Sequence, residues 1–67
     1  MTISAKVYCS EEQVSAMLEN TNEIFVADCY DEMVEKLLTH LNCISANTYK
    51  VVNETYQHNH TKLEFAV

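Results

Sequence analysis

The sequence predicts a small α+β domain in which a sheet of three to four strands packs against one main helix, in the order β-α-β-α-β-β. Three observations carry this. Residues 29–41 repeat apolar side chains at helical spacing, residues 2–9 alternate apolar and polar as a strand does, and residues 48–56 and 61–67 are rich in Thr, Tyr, Val and Phe around a polar turn. With 67 residues, the chain has room for one domain over 1–67, since chains this short bury only about 60% of their unfolded surface. Stability is then marginal, and a bound partner or a homodimer would supplement it.

Ile3, Ala5, Val7 and Cys9 fall on one side of the first strand, and Thr2, Ser4, Lys6 and Tyr8 on the other. Ser10-Glu11-Glu12-Gln13 reads as a capping box, with Cys9 and Val14 placed for a hydrophobic staple, so a short helix follows. Its apolar side is Val14, Met17 and Leu18, and Asn20-Thr21-Asn22 is its exit, because Asn tolerates the left-handed conformation. If this helix is only a turn, the order reduces to ββαββ.

Within Glu23 to Asp28, Ile24, Phe25, Val26 and Ala27 are apolar at successive positions, the pattern of a central strand covered on both faces. Asp28 can cap the main helix over 29–41, whose stripe is Tyr30, Met33, Val34, Leu37, Leu38 and Leu41. That helix stops near Asn42, with His40 in its last turn. The final hairpin turns at Gln57-His58-Asn59-His60; Leu63, Phe65 and Val67 face the core, and the loop length decides whether Val51 or Val52 joins them. The sheet is expected to be mixed.

Composition narrows the function. The chain is 48% hydrophobic, which suits a folded domain, and its net charge is −6. It contains no Arg, Gly, Pro or Trp. Without Arg and with an acidic surface, direct nucleic-acid binding is excluded, and the expected partner is a basic protein or nucleoprotein complex. No apolar leader follows Met1 and no run approaches a bilayer span, so a cytoplasmic location, without membrane contact, is expected. Cys9, Cys29 and Cys43 form no C-x-x-C pair and are expected to be reduced, buried and inert.

No Ser or Cys lies in a nucleophile elbow or dyad, and no Gly-rich phosphate loop exists, so no catalytic residue, no enzyme activity and no cofactor is expected. His58-x-His60 could put two ligands on one side of a strand, but zinc takes four and the cysteines are not spaced to help; the expectation is a polar turn and no metal. Tyr8, Tyr30, Tyr49 and Tyr56 are numerous for this length, a composition found at interfaces; Tyr8 is the most exposed by pattern.

The charge is unevenly placed. Residues 11–35 contain eight acidic side chains and no basic one, a charge of −8, while the remainder carries +2. Asp28, Asp31, Glu32 and Glu35 follow i, i+3, i+4, i+7, which stacks four carboxylates opposite the leucine stripe. With Glu12 and Glu19 they are the candidate partner-binding residues. A solvated helix face would carry the same pattern. So would an acidic ridge that imitates phosphates, since i and i+4 neighbours lie about 5–6 Å apart.

Taken together, the chain's size, its charge and its sheet-plus-helix plan resemble the small acidic inhibitors that phages direct against bacterial defences, of the anti-CRISPR and anti-restriction type. The segment from Phe25 through Asp28 to Glu35, a strand entering a helix through an acidic turn, is also similar to one in small α+β domains such as antitoxins. The resemblance implies a non-enzymatic, phage-derived inhibitor that acts as a DNA mimic in the host bacterial cytoplasm, blocking the basic groove of a nucleic-acid-processing complex. The alternative is a regulatory adaptor or antitoxin-like module that pairs with one protein through its sheet edge and tyrosines.

Overall fold

The computed structural model describes residues 2–44 and 48–67. Its elements are β1 (Thr2–Cys9), β2 (Val14–Leu18), β3 (Ile24–Ala27), α1 (Tyr30–Ile44), β4 (Lys50–Tyr56) and β5 (Thr61–Ala66). All five strands form one antiparallel sheet, ordered β3-β2-β1-β5-β4. The α+β class stands; the sheet is larger than expected and is antiparallel rather than mixed.

The main correction concerns residues 10–18. Gln13 N donates to Ser10 Oγ (3.2 Å), the bond a capping box would make, but Ser10 N also donates to Gln13 O (3.0 Å) and the Ser10 hydroxyl donates to the same carbonyl (2.7 Å). Those bonds close a hairpin, not a helix. The next five residues pair with β1, Ala16 opposite Val7 and Val14 opposite Cys9. Val14, Ala16 and Leu18 are buried, whereas Met17 is half-buried on the other side. So short a segment recovers few helical hydrogen bonds for the cost of nucleating a helix, and the ladder to β1 wins.

Asn22 does take the left-handed conformation, with φ 62°, but it closes the β2–β3 hairpin instead of ending a helix: Asn22 N donates to Leu18 O (2.8 Å) and Leu18 N to Glu23 O (3.0 Å). Since left-handed backbone costs most non-Gly residues about 1–2 kcal/mol, Asn22→Val is expected to destabilise the domain by roughly that much. Asn22→Gly is expected to match or exceed the native stability, and urea unfolding of both variants checks the ordering.

β1, rather than β3, lies at the centre of the sheet, and β3 forms one of its edges. The other edge, β4, has an irregularity between Val51 and Asn53 that settles its register: Val51 lies opposite Phe65 and is half-buried, while Val52 is exposed. Leu63 and Phe65 are fully buried, but Val67, expected in the core, is exposed beyond the end of β5.

Helix α1 covers one face of the sheet. Met33, Leu37 and Leu41 are fully buried against Ala5, Val7, Leu18, Leu63 and Phe65, with Tyr30, Val34 and Leu38 packed at the margin. Each such large side chain contributes about 1.5–3 kcal/mol by leaving water. The helix runs to Ile44, past the expected stop at Asn42, whose side-chain Oδ1 accepts from Tyr49 N (2.7 Å) and so ties the helix end to the start of β4. Its first hydrogen bond runs from Met33 N to Cys29 O (3.0 Å), which makes Cys29, not Asp28, the capping position. Cys9, Cys29 and Cys43 are all exposed free thiols, because each sits at the end of an element and not within the core face.

Candidate protein-binding surface

The register of the sheet decides which acids come together. Val14 pairs with Ala27, so the β1–β2 turn bearing Glu11 and Glu12 lies at the same end of the sheet as Asp28 and the start of α1. Asp31 and Glu32 occupy the first helical turn, where the helix dipole favours negative charge, and Glu35 follows one turn on. All six acids are exposed.

Glu19 is not part of this group. It lies in the turn at the opposite end of the sheet, where its amide donates to Ser4 O (2.9 Å) and its carboxylate meets Lys6 Nζ at 4.0 Å. Sequence proximity to Asp28 gave no hint of this, because β3 runs between the two and separates them by the length of a strand.

Among the described residues the ion pairs are Lys6–Glu19 and His40–Glu23 (3.4 Å), and none includes Asp28, Asp31, Glu32 or Glu35. Lys36 stands one turn from Glu32, the spacing of a helical salt bridge. Its ammonium instead donates to the carbonyl of Val26 on β3. None of the four carboxylates forms an ion pair with it.

Between β3 and α1 runs a groove of about 650 Å³, with Ile24, Phe25 and Val26 along the strand and Glu32, Glu35, Lys36 and His40 along the helix. His40 packs edge-on against Phe25, with ring centroids 4.9 Å apart. Its Nε2 approaches Glu23 without an aligned hydrogen bond. The uninterrupted apolar run at 24–27, expected to mark a strand covered on both faces, has one face open: Ile24 is 71% and Val26 45% exposed. They share the open face with Met17 and Tyr8, whose ring lies 5.3 Å from that of His60. Tyr56, at 79%, is more exposed than Tyr8 at 39%.

Tyr30 differs from the other tyrosines. Its hydroxyl is buried, and burial, reinforced by hydrogen bonding to and the charge of the Glu54 carboxylate on β4, pushes its pKa up to about 12. A phenol whose folded pKa is raised stabilises the fold fully below its unfolded value near 10, and loses that contribution as pH rises through about 12. Stability is therefore expected to fall between pH 10 and 12, and Tyr30→Phe, which lacks the titrating group, to flatten the fall. Thermal melts across that window, with phenolate absorbance as a second readout, check both.

Among the described residues no three His, Cys, Asp or Glu side chains gather as a metal-binding group, and no helix is long and apolar enough to cross a membrane. His58 is exposed in the β4–β5 turn, while His60 faces Tyr8 and its Nδ1 lies 2.9 Å from Asn59 Oδ1. Compared with known proteins, the chain matches no family model, no curated sequence and no solved structure.

Proposed function

We propose that this chain is a non-enzymatic, phage-derived inhibitor that occupies the basic groove of a bacterial nucleic-acid-processing defence complex in the host cytoplasm. The supporting observation is the exposed acidic start of α1, where Asp31, Glu32 and Glu35 on the helix and Asp28 just before it form no ion pair while the Lys36 ammonium bonds to β3. Like charges held on one helix face repel one another, a cost that a basic partner converts into binding free energy. A groove built for phosphates offers cations at comparable spacing.

The test is phage plating. Expression of the chain is expected to raise plating efficiency on a strain with an active CRISPR-Cas or restriction system, and to leave it unchanged on the matched strain lacking that system. Equal efficiencies across a panel of such systems would overturn the proposal. The adaptor reading, in which apolar contacts at the sheet edge dominate, differs in its salt response: charge-driven binding weakens steeply with ionic strength and apolar binding does not.

A further inference from the structure

We propose that the free edge of β3 takes up an extended segment of the partner protein as an added strand, and that Glu32 and Glu35 select a segment with alternating basic and apolar side chains. This rests on the acidic helix being the partner-binding face and names the form in which the partner presents its charge.

The first ground is the backbone. β3 ends the sheet, and the Lys36 ammonium reaches the Val26 carbonyl from outside it, so that carbonyl points away from β2. In an antiparallel ladder outward-pointing residues alternate. The amide and carbonyl of Ile24 and the amide of Val26 therefore also lie along the open edge. Lys36 covers one of these groups with a flexible side chain, the kind of guard that keeps an edge from indiscriminate pairing yet moves aside at little cost.

The second ground is what stands on either side of that edge. A strand laid beside β3 would point successive side chains to opposite faces. One set would join Ile24, Val26 and Met17 on the open face and gain by being apolar. The other set would enter the groove beside Phe25, where Glu32 and Glu35 line the opposite wall together with Lys36 and His40, and where the Lys36 ammonium would have to leave the Val26 carbonyl. Lys or Arg fits there, its aliphatic stem against the ring and its charge at the carboxylates.

A second copy of this chain fits less well. Pairing β3 with its own symmetry mate would bring two copies of α1 side by side and set their Glu32 and Glu35 against each other.

The probe is an acetylated, amidated peptide of three Lys-Val repeats, titrated into isotope-labelled protein and followed by amide NMR, with a Glu-Val peptide as control. The expected result is saturable shifts centred on the Ile24 and Val26 amides, slowed hydrogen exchange there, and binding that weakens with salt. Val26→Pro removes an outward amide that β2 does not use, and edge strands tolerate proline. It is expected to weaken binding at least tenfold, as is Glu32→Lys, which leaves the backbone untouched and serves if the proline variant fails to fold. Equal affinity for the Glu-Val peptide, shifts confined to β4, undiminished binding by both variants, or a native dimer through β3 in sedimentation would each overturn the proposal. In phage plating, full inhibition by folded Val26→Pro, together with its loss in an acidic-face variant, would discard the added strand and keep the inhibitor.

Discussion

Replacing Asp31 and Glu35 together by lysine is expected to abolish protection of phage while leaving the domain folded. Both side chains are exposed, and neither is in an ion pair, so the native fold makes little use of them. Exposed substitutions of this kind usually change stability by no more than about 0.5 kcal/mol. A lysine in the first helical turn opposes the helix dipole, at a cost of about 0.3–1 kcal/mol. The partner experiences a larger change, because each reversal turns an attraction into a repulsion of similar size. With about 1–4 kcal/mol for a charge pair at 4 Å between water-like and surface-like dielectrics, two reversals amount to at least a hundredfold in affinity. Calorimetry with the captured partner measures the loss. The difference from the native chain is expected to shrink towards 1 M salt, where the screening length is about 3 Å. Native-level protection by a folded double variant would remove this face from the mechanism.

The largest expected effect on the fold comes from Leu37→Ala. Leu37 is fully buried at the middle of α1, between the equally buried Met33 and Leu41, in the layer between helix and sheet. Deleting such a side chain costs about 2–5 kcal/mol, part of it lost transfer energy and part the cavity that remains. A domain of this size has only about 3–10 kcal/mol in total. The variant is therefore expected to melt at least about 10 °C lower. It would be largely unfolded if the native domain lies at the low end of that range. Leu38→Ala, at a half-buried position one residue on, is the matched control and is expected to lose far less. Thermal circular dichroism separates them, and similar melting temperatures would show that the helix stripe is not the core's main support.

How far the fold was legible depended on how many periods each segment offered. Thr2 to Cys9 and Tyr30 to Leu41 repeat their pattern long enough to fix strand and helix. Val14 to Leu18 satisfies both templates: Val14, Met17 and Leu18 align on a helix, and Val14, Ala16 and Leu18 on a strand. Ala16 decides between them only through Val7 and Phe25 on the neighbouring strands, which local reading does not see. Ser10 added to the ambiguity, since a hydroxyl that accepts an amide three residues on serves a hairpin as well as a helix.

The candidate surface was legible where it lies on one helix and illegible where it is assembled across elements. Asp31, Glu32 and Glu35 follow from helical spacing alone. That Glu12 joins them and Glu19 does not follows from strand register, and that Lys36 deserts Glu32 follows from the nearness of β3. Ile24 and Val26 were visible as apolar residues, but a run covered on both faces and a run at an edge with one face open have the same letters. Only the position of β3 in the sheet tells them apart.

The irregularity at Val52 sets a limit on assembly. A five-stranded sheet with two equally receptive edges could join head to tail, β3 of one molecule on β4 of the next, and such a contact has no reason to close. In β4 the ladder slips between Val51 and Asn53, and the exposed Glu54 and Lys50 add charge along the same strand. That edge is a poor template for pairing. Growth of the sheet is thus one-sided, and a molecule that accepts a strand at β3 offers no matching edge beyond it. The chain is built to terminate a ladder and not to propagate one, as the proposed one-to-one inhibitor would require.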